Sequence, residues 1–144
     1  MMKTQIFLST VIAWLAAPLL LLVLSTLAAE APNFAGEYAD KKFLNGQAVF
    51  QMSLEQSGST VSVWFSAVYN DYHGAPPEGE GTGKVTSKGT VEFRFEDSFK
   101  NSGTGTITRS GEDFIVSIKT TRVPDSRCLP FYGQNMRLKH VGKK

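Results

Sequence analysis

Beyond its apolar N-terminus, this chain alternates apolar and polar positions with a period of two. Ala48, Phe50, Met52 and Leu54 alternate with Gln47, Gln51, Ser53 and Glu55, and Val49 is the one apolar residue on the polar side. Val91, Phe93 and Phe95 alternate with Glu92, Arg94 and Glu96; Phe114, Val116 and Ile118 alternate with Ile115, Ser117 and Lys119; Met136 and Leu138 alternate with Asn135, Arg137 and Lys139. Successive strand side chains point to opposite faces of a sheet, so each run predicts a half-buried strand. No window beyond the N-terminus carries a helical apolar stripe.

One hairpin is written twice. Val61, Val63, Phe65, Tyr69 and Asp71 precede Val91, Phe93, Phe95, Phe99 and Asn101 by thirty positions. Gly81-Thr82-Gly83-Lys84-Val85-Thr86 then matches Gly103-Thr104-Gly105-Thr106-Ile107-Thr108 at an offset of twenty-two, so the first copy carries eight extra residues between its halves. Each copy predicts a strand up, a loop, a strand down and a tight turn. Gly81 and Gly83 lie on one face of their strand, as do Gly103 and Gly105 on theirs. Phe93 and Phe95, on the strand between, are expected to cover that bare backbone, where bulkier residues would collide.

Short connections (Ser57-Gly58-Ser59, Ser87-Lys88-Gly89, Ser110-Gly111-Glu112) alternate with long ones at Asp40–Gly46, Asn70–Glu80, Asp97–Ser102 and Thr121–Gly133. In an up-and-down meander, alternate connections lie at opposite ends. The pattern therefore predicts an all-β fold, an eight-stranded antiparallel up-and-down barrel of four hairpins, with a tight base and an elaborate rim. Closure leaves no free sheet edge. A barrel of this size holds its own side chains or one small ligand, and the inward apolar set here is expected to fill it.

The N-terminus reads as an export signal over residues 1–29, leaving one domain over residues 30–144. Lys3 precedes an apolar run from Ile6 to Leu24, and Ser25-Thr26-Leu27-Ala28-Ala29 offers small residues for cleavage. The alternative is an uncleaved segment that anchors the chain in a membrane. Removing Lys3 from the 15 Lys and Arg leaves 14 against 13 Asp and Glu, a balance that excludes the clustered basic surface nucleic acid demands. The expected location is periplasmic or secreted. With a single cysteine, Cys128, no internal disulfide can form, and stability must come from the core.

The triplet Gly36-Glu37-Tyr38 resembles the Gly-x-Trp signature that opens the first strand of lipocalins, with tyrosine in place of tryptophan. Arg137, near the end of the last strand, is similar to the arginine that packs on that tryptophan. Long loops after the first, third, fifth and seventh strands resemble the open end of the same calycin group. The resemblance implies a closed barrel and a pocket for a lipophilic ligand. No C-terminal helix follows the last strand, and alternation puts Arg137 on the outer face, both departures from that pattern. In size and export the chain is also similar to small periplasmic barrels that inhibit lysozymes.

Residues capable of recognition gather in the long loops: Lys41, Lys42 and Phe43 in the first, Tyr72 and His73 in the second, Arg127, Phe131 and Tyr132 in the fourth. Aromatic and arginine side chains among prolines suit a protein-binding surface, although Phe131 and Tyr132 would equally plug the barrel mouth. The grown loop around Tyr72 is stiffened by Pro76-Pro77 and is expected to enter a cleft on a partner. Asp71 and Asp97, near loop starts, are expected to anchor turns through their own backbone. Cys128 with His73 is the one thiol–imidazole pair on offer; an inert packed thiol or a bridge between two copies are the other readings. Outward Trp64, if joined by Val49 and Ile115, would form a dimer face. No metal, cofactor or catalytic residue is expected. The sequence thus points to an exported, non-catalytic protein that binds an envelope or extracellular protein through rim loops, most concretely as an inhibitor of an envelope-acting enzyme; the alternative is a carrier of a small apolar ligand.

Overall fold

A computed structural model describes residues 31–142, so the expected export signal and the terminal lysine pair lie outside the described residues. Eight antiparallel strands close into a barrel in chain order: β1 (Gly36–Lys42), β2 (Ala48–Ser57), β3 (Thr60–Tyr69), β4 (Glu78–Val85), β5 (Val91–Asp97), β6 (Ser102–Ser110), β7 (Asp113–Arg122) and β8 (Met136–His140). The period-two pattern holds along β2, β3, β5, β6 and β7, whereas β1 buries the consecutive Tyr38 and Ala39. Ala48, Phe50, Met52 and Leu54 are buried, and β5 alternates strictly between buried and exposed. The short turns are tight because Gly58, Gly89 and Gly111 adopt left-handed φ of 60°, 74° and 64°. A tight turn, Phe43–Gly46, with Leu44 and Asn45 in left-handed conformations, joins β1 to β2, and a 3-10 helix, Ser126–Phe131, lies between β7 and β8.

The barrel axis is a column of aromatic rings. At the base, Tyr38 stacks on Phe114 at 3.6 Å between ring centroids, and Phe34, just before β1, tilts against Phe114 at 5.5 Å. Toward the rim, Phe43 meets Phe50, Phe50 stacks on Phe65, and Phe65 meets Phe95 and Tyr132. Phe34, Phe50, Phe65, Phe114 and Phe131 are fully buried. Each such side chain contributes about 2 kcal/mol through burial, so ring packing carries the stability that a disulfide supplies in many other small domains.

Glycines let the strands meet these rings. A Cβ on Gly105 would fall 2.1 Å from the Phe93 ring, as expected, and one on Gly79 equally close to Phe65. At Gly81 and Gly103 the obstacle differs. Their Cβ atoms would meet the backbone carbonyls of Arg94 and Lys119 at 1.7 and 2.0 Å, because the strand curls onto its neighbour's main chain. The glycines therefore admit strand curvature as well as ring cover.

The triplet Gly36-Glu37-Tyr38 does open β1, and Tyr38 is buried. Arg137 does not pack on it. It faces outward, donating to Asp113 at 2.9 Å and Ser110 at 3.1 Å. The guanidinium near this ring cluster is that of Arg109, over Phe34 and Phe114 at 5.4 and 5.5 Å.

Candidate functional site

The rim carries the second and fourth loops side by side. Tyr69, at the end of β3, tilts against Phe131 at 4.9 Å, and the Cys128 thiol lies 3.7 Å from the Ala75 carbonyl. The eight-residue insertion therefore rests on the 3-10 helix. It is anchored at further points: the Asn70 amide donates to the Gly46 carbonyl at 2.8 Å, and the Pro77 carbonyl accepts from Ala67 N–H at 3.2 Å. Ala75 and Pro77 are buried as its feet.

What stands above those feet is exposed. His73 stacks on Tyr69 at 4.1 Å, and its ring bonds the Asp71 carboxylate. That bond holds the Asp71 carboxyl below its ordinary pKa. Asp71 also accepts from the His73 N–H at 3.2 Å, the expected turn anchor. Tyr72, between them, takes a left-handed φ of 60° and is 83% exposed. A bulky residue in that conformation is uncommon and is held there by its surroundings. Its neighbours are fixed and its ring points into solvent.

The third and fourth loops are locked by a buried carboxylate. Asp97 Oδ1 accepts from the N–H groups of Phe99 and Asn101 at 2.8 and 3.0 Å, and Oδ2 from the Asn101 side-chain amide at 2.9 Å and the Tyr132 hydroxyl at 2.5 Å. Asn101 Oδ1 then accepts from Asp125 N–H at 3.0 Å, so one side-chain pair spans both loops. Burial and the carboxylate beside it push the Tyr132 phenol far above its ordinary pKa. Asp97 performs the expected turn anchoring. Its partner Asn101, which the repeat matches to Asp71, is fully buried, a bridging role that no local pattern announces.

The expected binding residues separate accordingly. Tyr72, His73 and Arg127 are exposed at the rim, Arg127 paired with Asp125 and lying 5.6 Å over the Phe99 ring. Phe43 and Phe131 are buried, at 8% and 0%, so both plug the core instead of meeting a partner. Tyr132 is half-buried with its hydroxyl tied to Asp97, the arrangement of the mouth-plug alternative. Lys41 and Lys42 are exposed, but they belong to β1, where they line a cleft beside β8.

Cys128 is fully buried, and burial raises its thiol pKa to about 11. That is the geometry of the packed-thiol alternative; a bridge between two copies would first require the thiol to be uncovered. Trp64 is 39% exposed, but its cross-strand neighbours are Ser53 and Glu80. Ile115 lies on β7, away from β3, so no joined patch with Trp64 forms.

No family model, curated protein or solved structure matches the chain. Among the described residues, no helix is long and apolar enough to cross a membrane, and no group of three or more His, Cys, Asp or Glu could hold a metal ion.

Proposed function

We propose that this is an exported, non-catalytic protein that recognises a partner protein of the cell envelope through the Asn70–Pro77 loop, with inhibition of an envelope-acting enzyme as its most concrete form. The carrying observation is Tyr72, 83% exposed on a loop whose flanks are stacked, hydrogen-bonded and footed on the core. An aromatic ring presented without loop disorder loses little entropy when it is buried against a partner. The protonated, covered Cys128 thiol is unsuited to nucleophilic attack, which supports a binding role over a thiol enzyme. The calycin-type carrier reading loses support from the ring column along the barrel axis.

The test is a photo-crosslinking side chain installed in place of Tyr72 in the producing cell, with a second installed in place of Trp64 as the control. A discrete protein adduct from the Tyr72 position alone is the expected result. No adduct, together with saturable uptake of a fluorescent fatty acid by the purified protein, would replace this reading with the carrier.

A further inference from the structure

The barrel is closed by the pairing of β1 with β8, and that pairing is short. Tyr38 faces His140 and Ala39 faces Lys139, with Val141 N–H donating to the Glu37 carbonyl at 2.8 Å; toward the rim the ladder stops. Continued by register, the next rungs would set Asp40 opposite Leu138 and Lys41 opposite Arg137. Backbone groups face a given neighbour at every second residue of an antiparallel strand. Glu37 and Ala39 face β8, so the main-chain N–H and C=O of Lys41 and Arg137 are the next to point into the seam, with no rung joining them.

The seam has a physical cause. Lys41 and Arg137 would meet as like charges directly opposite one another, an arrangement that destabilises a ladder. Lys42, Lys139 and His140 border the same cleft, which encloses about 670 Å³. Two acids temper this field. Asp40 accepts from the Lys42 N–H at 2.9 Å, and Asp113 pairs with Arg137 at 2.9 Å. Cationic side chains remain in excess, beside main-chain groups set for a strand.

We propose that this seam docks an extended acidic segment of a partner protein, which adds as a short strand along Lys41 and sets its carboxylates between the two rows of cations. Main-chain bonds supply the affinity of such strand addition, and the alternate side chains supply its specificity. The site stands on residues separate from Tyr72, so it and the rim reading can fail independently.

The probe is a labelled eight-residue peptide of alternating glutamate and valine, titrated into the purified protein at low salt. Saturable binding is expected, with slowed amide exchange at Lys41 and Arg137. Lys41→Glu should weaken binding at least tenfold and, by replacing the like-charge rung with an opposed pair, slow exchange at Arg137 without any peptide. A peptide N-methylated at alternate residues keeps its charge but cannot form the ladder, and should bind at least tenfold more weakly. Three results would overturn the proposal: no binding, equal binding of the methylated peptide, or capture by phosphatidylglycerol vesicles through Lys41 with the peptide inactive.

Discussion

The β3–β4 and β5–β6 hairpins derive from one repeated pattern, yet their loops have gone opposite ways. In the second copy Asp97 and Asn101 turn inward, and their polar atoms are consumed by the fourth loop. In the first copy Asp71 and His73 bond only each other's residue, and Tyr72 stands in solvent. The strands kept the same glycine solution while the loops parted. Where the copies agree, the residues hold the barrel together; where they differ, one loop is mortar and the other is free to bind.

The shared part should give the largest effects. Gly81→Ala and Gly103→Ala each drive a Cβ into a neighbouring carbonyl, so each should cost more than about 3 kcal/mol, in the overpacking range, or prevent folding. Urea unfolding of the two variants checks this, and a mild effect at one site alone would break the equivalence of the copies.

The loops should then diverge. Asp97→Ala strands the Tyr132 hydroxyl, the Asn101 amide and two backbone N–H groups, at a cost of about 3 kcal/mol. Asp71→Ala, at an exposed position, should stay within about 0.5 kcal/mol of the parent. Equal losses of unfolding free energy in the two variants would contradict the division of roles.

Alkaline pH sharpens the contrast, because the groups buried under the fourth loop are protonated acids. The Cys128 thiol has an ordinary pKa of 9.0 and a folded value of about 11, so the folded state favours the protonated form. Its contribution is full below pH 9 and is lost as pH rises through 11. By pH 10 this group alone should lower stability by about 1 kcal/mol relative to pH 8. Tyr132, also raised, acts in the same direction at higher pH. Cys128→Ala should flatten the slope of stability between pH 8 and 10, and an unchanged slope would exclude the thiol as its source.

The strands were legible because each encodes its own two faces locally, and the turn glycines mark where the chain reverses. The glycine pairs even announced the ring over Gly105. The rim was legible only in part. Phe43 reads as a surface aromatic, and Phe131 and Tyr132 read equally as contact or plug, because a loop's inward fold depends on partners far along the chain, such as Asp97 for Tyr132. The seam was hidden for a related reason. The register of β1 on β8 joins the first and last strands of the chain, and neither strand states how many rungs they share.

Tyr72→Asn gives the smallest expected change in stability and the most direct test, since asparagine adopts the left-handed conformation readily. The measurement is the amount of partner retained from an envelope extract by parent and variant proteins of matched unfolding midpoint. Retention should fall at least tenfold in the variant while the midpoint stays put. A variant that retains the partner as well as the parent does would contradict recognition through this loop.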